Sequence, residues 1–318
     1  MTQCSLLEWV GVQRRLVQPG DLFVDLFCGL GGASEGAREA GMRVDLAVDS
    51  DAEMLQLHAL NHPECAQVCA TLPDCSLEFP ISGQRWWLHG SPPCTKVSEA
   101  NQDRDDDDRS EAVEMVTWFL KFAMDSSALW WSMEQVATPV VVQALEALRR
   151  PQSPYRRRFA YTVIDFYDIG VPQNRRRLLA GSPDVIAALQ RAPTVHRCVR
   201  DVVDDPGGTH LRNKVWWMYC KKGDTYQKTL LTQDQRCRPL DMPSFCITAT
   251  PLRWATPPVT GHLRHISVRQ TARLQTFPDS YNVGALSSRA RLGLANAVPP
   301  LVMQTIVQQA SHPGALCA

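Results

Sequence analysis

The sequence predicts an α/β protein: a doubly wound, mostly parallel sheet with helices on both faces, and a smaller β-and-loop domain inserted late in the chain. Three observations predict it. Short apolar runs alternate with helix-patterned stretches through the first half, and such alternation builds a parallel sheet covered on both faces. A glycine turn follows the first apolar run and opens a helix. The alternation breaks at residues 183–262, which are rich in Arg, Pro, Asp and Thr, and resumes after them.

The elements follow in order. "DLFVDLF" (21–27) reads as a buried strand, and "GLGGASEGAREAG" (29–41) as a glycine turn and a helix closed by Gly41. "RVDLAV" (43–48) is a second strand. The next helix opens with Ser50 and Glu53 in capping-box spacing and stops at Pro63. "RWWLHG" (85–90) is a third strand. Val113, Val116 and Leu120 recur at helical spacing within 110–124. "ALWWSM" (128–133) is a strand, and Pro139 sits in the first turn of the helix after it. "FAYTVIDF" and "RRLLAGS" look like paired strands around "YDIGVPQN", and segments 267–277 and 299–310 are helical. The expected domains are 1–182 with 263–318, and 183–262.

Composition bounds the function. The 318 residues are 44% hydrophobic and 21% charged, an ordinary balance for a globular chain. No run of eighteen apolar residues is present and the N-terminus lacks a secretion pattern. The eleven cysteines, an odd number, fit a reducing, intracellular setting. The zero net charge is split: residues 1–148 hold 9 Lys and Arg against 23 Asp and Glu, and residues 149–318 hold 24 against 10. A basic half beside an acidic one implies a polyanionic partner met mainly by the C-terminal half.

Four stretches carry chemistry. In "DLFCGLGGAS" the glycines let backbone N–H groups approach a ligand. A dinucleotide fingerprint would need glycine where Ser34 stands, while Asp49, ending the next strand, suits a ribose diol. In "HGSPPCTKVS" two prolines stiffen the loop that carries Cys94. "WWSMEQV" delivers Glu134 at the end of a strand, where burial would let it hold a proton. In "VPQNRRRLLAGS", alternation sets Gln173, Arg175 and Arg177 in one row, suited to anionic oxygens or a base edge.

In this order the stretches resemble the cytosine-C5 DNA methyltransferases, from Asp21 to about Val302, through "DLFCGLGG", "GSPPCTKVS", "MEQV", "QNRRR", "RQTARLQTFPD" and "ANAVPP". The resemblance implies a Rossmann-like methyltransferase fold with a target-recognition domain at 183–262. It implies S-adenosylmethionine as cofactor, lined by Phe27, Gly29 and Gly31, with Asp49 on the ribose, Thr71 at the adenine-facing position, and Asn296 with Ala297 at the methionine end. Cys94 would be the nucleophile at cytosine C6, Glu134 would contact N3 and the exocyclic amine, and Arg175 and Arg177 would hold the base or a flanking phosphate. Ser98, Arg109 and Gln173 would contact the DNA. The resemblance thus implies a monomeric DNA (cytosine-5) methyltransferase acting on a flipped-out base in double-stranded DNA, off the membrane and without a metal.

Three positions depart from the family pattern: Gln135 stands for Asn, Thr71 for an acid, and Ala295 for Gly. The run Asp105–Asp108 reads as a solvated loop tip. Two alternatives stay open. One is an RNA (tRNA) cytosine methyltransferase on the same fold, against which the insert has "SFCITAT" in place of a Cys-Phe-Thr segment. The other is a catalytically silent DNA-binding or scaffold relative, against which all of Cys94, Glu134, Arg175 and Arg177 are retained.

Overall fold

A computed structural model describes residues 16–75, 77, 79, 83–93, 106–213, 217–222, 225–230, 236–256, 259, 263–285 and 287–311; for 106–109, 217–222, 225–230 and 287 it describes the backbone alone. The chain divides into two compact units. The first comprises the described residues of Met1–Asp165, Arg176–Thr194 and Ala297–Ala318, and the second those of Phe166–Arg175 and Val195–Asn296.

The first unit is built on a seven-stranded sheet. Its strands are β1 (Leu22–Leu26), β2 (Arg43–Asp49), β3 (Ala66–Cys69), β4 (Trp86–Gly90), β5 (Trp130–Val136), β6 (Ala160–Asp165) and β7 (Arg176–Gly181). The order is β3-β2-β1-β4-β5-β7-β6. The pairs from β3 to β5 are parallel, and β7 runs antiparallel between β5 and β6. The expected mostly parallel, doubly wound sheet is therefore present. Its order reverses between β1 and β4, and in such sheets a ligand crevice lies beyond the carboxyl ends at that reversal.

Five helices flank the sheet: α1 (Gly32–Glu39), α2 (Ala52–Asn61), α3 (Asp106–Asp125), α4 (Pro139–Leu148) and α5 (Pro183–Gln190). Asp51, not Ser50, caps α2, accepting the N–H groups of Glu53 and Met54. Asp51 lies one residue nearer the helix, in extended backbone, so its carboxylate reaches both free donors.

Strands β1, β4 and β5 are buried along their whole length, as a sheet covered on both faces requires. Leu22, Val24 and Leu26, with Trp86, Leu88, Trp131 and Met133, face a core completed by Phe119 and Leu120 of α3 and Leu145 of α4. Period-two alternation turns their neighbours to the other face. There Trp87 stacks on Trp130 at 6.1 Å and Phe23 on His89 at 6.1 Å. Adjacent tryptophans thus serve opposite cores. The last helix of the unit, α8 (Pro300–Ala310), packs on α1 and α5. A Cβ on Gly36 of α1 would run into the Pro300 carbonyl, so glycine is what permits that crossing. No helix of the described residues is long and apolar enough to cross a membrane.

The second unit holds a three-stranded sheet ordered β11-β8-β12 and a two-stranded hairpin of β9 and β10. These strands are β8 (His210–Arg212), β9 (Trp217–Lys222), β10 (Thr225–Leu230), β11 (Cys237–Pro239) and β12 (Arg253–Ala255). Helices α6 (Val268–Leu274) and α7 (Ser287–Asn296) belong to the same unit. Its core gathers Val199, Leu211, Leu240, Ile247, Trp254 and Leu274.

Candidate active site

The carboxyl ends of β1, β2, β4 and β5 come together at the order reversal of the first unit. β1 ends in a turn of unusual backbone: Phe27 has φ 60°, Gly29 φ 49° and Gly31 φ 87°. Glycine adopts such angles freely, whereas Phe27 is strained by about 1–3 kcal/mol, a feature typical of binding sites. The Cys28 N–H donates to the Val48 carbonyl at 3.1 Å. The Gly29 N–H donates to Oδ2 of Asp49 at 2.8 Å, and the Asp51 N–H to its Oδ1 at 2.8 Å. Burial raises the Asp49 pKa, opposed by those backbone N–H groups. A Cβ built on Gly29 would have no atom within 4 Å, so the space before the turn is open.

Ser34, which displaced a dinucleotide fingerprint in the sequence, has a structural role. Its hydroxyl donates to Oδ2 of Asp25 at 2.6 Å and lies 2.9 Å from Nε2 of His58. Nδ1 of His58 lies 3.1 Å from the Gln67 amide nitrogen. With neutral His58 protonated on Nε2, every link in this chain has one donor and one acceptor. Desolvation raises the Asp25 pKa to about 7 and, with His62 adding, lowers that of His58 to about 3. His58, His62, Cys65 and Cys69 have metal-like spacing, yet His58 is spent on Ser34 and Gln67. Among the described residues no group of His, Cys, Asp and Glu could hold a metal ion.

The stem of the Pro-Cys loop is fixed residue by residue. A Cβ on Gly90 would strike the Phe119 ring. Ser91 donates its N–H to the Leu26 carbonyl at 3.2 Å and its hydroxyl to the Phe27 carbonyl at 3.1 Å. The Pro92 carbonyl accepts the side-chain amide of Gln135 at 3.0 Å. Next to Gln135, Glu134 forms an ion pair with Arg177, Nε to Oε1 at 2.9 Å, with both side chains largely buried. Antiparallel pairing puts Arg177 opposite Val136, and the diagonal neighbour two residues back is Glu134. Cys94 and Ser98 lie outside the described residues, and of Arg109 only the backbone, within α3, is described.

The other expected residues separate. The predicted row of Gln173, Arg175 and Arg177 does not form, because the strand starts at Arg176. Before it, the Arg175 carbonyl still accepts the Phe166 N–H in the register of the β6–β7 ladder, but the Asn174 N–H turns to the Ser244 carbonyl. Gln173 and Arg175 belong to the second unit, where both are buried. The Gln173 amide donates to the Leu274 carbonyl and to Gln275 Oε1 at 2.6 Å, and its oxygen accepts the Ile247 N–H at 3.0 Å. Arg175 donates to the Ala295 carbonyl at 3.1 Å. Thr71 is exposed just beyond β3, its carbonyl accepting the Asp74 N–H. Asn296 is the exposed last residue of α7 and of the second unit, and Ala297, buried, resumes the first. Sequence reasoning missed Ser91, for which a short polar residue after Gly90 was the available signal, and the Ser34–His58 link, which carried none.

The profile of the family described as "C-5 cytosine-specific DNA methylase" matches residues 22–183 and 200–312. The chain is 24% identical over 356 residues to "Type II methyltransferase M.XorII" of Xanthomonas oryzae, covering 89% of this chain and 82% of that protein. It is 24% identical over 306 residues to "Type II methyltransferase M.AplI" of Arthrospira platensis, covering 92% and 86%. Among solved structures, a putative DNA modification methyltransferase encoded in an Escherichia coli prophage superposes with a TM-score of 0.60 at 18% identity, covering 91% of this chain and 98% of that one. A DNMT2 mutant from Spodoptera frugiperda superposes with a TM-score of 0.57 at 14% identity, covering 92% and 99%.

Proposed function

We propose, since the chain belongs to the C-5 cytosine-specific DNA methylase family, that it methylates C5 of a cytosine flipped out of double-stranded DNA, with S-adenosylmethionine as methyl donor. The observation that carries the reading is the Glu134–Arg177 pair at the end of β5, beside the strand end that leads into Pro92, Pro93 and Cys94. Names of relatives such as M.XorII and M.AplI support a DNA-modification role.

The residues present fit the cofactor. Gly29 leaves open space before the turn, Asp49 keeps free lone pairs after accepting two backbone N–H groups, and Phe27 is held in place by its backbone. Bound there, the cofactor supplies an electrophilic methyl group on a sulfonium. Asn296 and Ala297 are assigned the methionine end and Thr71 the adenine side.

Cytosine C5 is a weak nucleophile until C6 is attacked. The Cys94 thiolate forms a bond to C6, and the ring electrons move toward C5 and N3. Glu134 faces N3 and the exocyclic amine: a proton passes through its carboxyl to N3 as the thiolate adds and returns as the thiolate leaves, with Arg177 holding the carboxylate in between. That addition makes C5 nucleophilic, and a cofactor held by Phe27, Gly29 and Asp49 would supply the methyl group it takes up. Loss of the C5 proton to solvent restores the C5–C6 double bond and expels the thiolate. The base must leave the stack to be reached. Arg175 is assigned to holding the base or its phosphate, and Ser98 and Arg109 to DNA contact; Gln173, buried with both ends of its amide engaged, is left to bracing the second unit. Target recognition is assigned to residues 183–262.

The test uses duplex DNA carrying 5-fluorocytosine, whose fluorine cannot leave as the proton does. With cofactor, a denaturant-stable adduct forms with the parent chain and none forms with Cys94→Ala. An adduct on tRNA and on no DNA would reverse the substrate, and none on either would end the reading.

A further inference from the structure

We infer that Gln135 is a positioning residue: its buried amide, bonded to the Pro92 carbonyl, fixes the Pro92–Pro93 stem, which precedes Cys94 in the chain, against the strand that carries Glu134. The inference rests on the roles given to Cys94 and Glu134 above.

β4 and β5 pair in register as far as Gly90 and Met133. Beyond that point the ladder cannot continue, because Pro92 and Pro93 have no N–H to donate. The Pro92 carbonyl is left inside the protein, where an unmet acceptor is costly. Gln135 meets it. The side chain is 0% exposed, its nitrogen donates to Pro92 at 3.0 Å, and its oxygen accepts the Val136 N–H at 2.7 Å. Both ends of the amide are engaged, so the group has one orientation. Gly90 and Ser91 are fixed by α3 and by the β1 turn. Gln135 adds the constraint from β5, and so relates the height of the loop to Glu134, one residue away in the same strand. An Asn amide would sit about 1.5 Å short of this carbonyl, one bond length.

The experiment compares the parent with Gln135→Ala, Gln135→Asn and Gln135→Glu for the rate of adduct formation on 5-fluorocytosine duplex DNA. Affinity for S-adenosylhomocysteine and the thermal midpoint report folding. Gln135→Ala is expected to slow the adduct by about 100-fold, the scale of a loop misplaced by about 1 Å, with cofactor affinity unchanged. Gln135→Glu separates positioning from simple packing. A protonated carboxyl donates to the Pro92 carbonyl as the amide does, whereas a carboxylate repels it. Its rate relative to the parent is therefore expected to rise as pH falls from about 8 to 6. A Gln135→Ala rate equal to the parent's, a loss matched by lost cofactor affinity, or a flat Gln135→Glu ratio overturns the inference. A parent chain that makes no adduct on DNA or tRNA removes the reading beneath it instead.

Discussion

Arg177 holds Glu134. The guanidinium Nε lies 2.9 Å from the carboxylate, and the side chains are 13% and 8% exposed. Removing one member of so buried a pair leaves an uncompensated charge, which is worse than losing both. Arg177→Ala is expected to destabilise by about 3 kcal/mol, and the double variant with Glu134→Gln by less than the sum of the singles, with a coupling of about 1–3 kcal/mol. Urea unfolding of the four proteins measures the coupling, and additive losses would show that the pair is not energetically joined.

Asp49 braces the glycine turn as well as facing its open side. Asp49→Ala removes the acceptor for the Gly29 and Asp51 N–H groups. A charged acceptor lost from such bonds costs about 1.5–3 kcal/mol, so affinity for S-adenosylhomocysteine should fall by about 10- to 100-fold. Calorimetry reads this, and unchanged affinity would remove Asp49 from the pocket.

Gly36 has a neighbour in place of a side chain. Gly36→Ala would drive a methyl into the Pro300 carbonyl and toward the Gln304 N–H. Over-packing of this kind costs about 1–3 kcal/mol or more. The thermal midpoint should drop, while Gly29→Ala, with open space before it, should lose cofactor affinity first.

Asp25 gives stability a pH signature. Its pKa is about 7 in the folded protein against 3.8 for a free carboxyl. The folded state therefore keeps a proton that the unfolded chain releases, and this contribution falls away as pH climbs from about 4 to 7. His58 and His89, both lowered to about 3 by burial, act in the opposite sense and favour folding as pH rises to about 6.5. Asp25→Asn removes only the first effect. Relative to the parent, its stability should rise by up to about 1.4 kcal/mol per pH unit between about pH 5 and 7. A constant difference across that range would contradict the assignment.

Much of the sheet could be read directly because its strands are apolar runs bounded by Gly and Pro. β3 escaped notice because "AQVC" is short, at the sheet edge and half-exposed, with no apolar alternation to mark it. α7 carries two arginines and two serines and has little apolar periodicity. At the site, the glycines stood out because turn backbone demands them, and Asp49 because a carboxylate ends the next strand. The Glu134–Arg177 contact was not, since it depends on β7 pairing antiparallel to β5. The row of Gln173, Arg175 and Arg177 assumed strand geometry three residues too early. The Asn174 bond to Ser244 takes the chain out of the β6–β7 ladder before Arg175.

The crossing of α1 with α8 has a consequence for how the protein comes into being. Gly36 and Pro300 meet from nearly opposite ends of the chain, and contacts of such separation form late and slowly. During synthesis α1 emerges early and must wait, its inner face uncovered, until the ribosome has made α8. A nascent chain stalled before residue 300 should therefore leave the Gly36 face of α1 uncovered and be a client for chaperones.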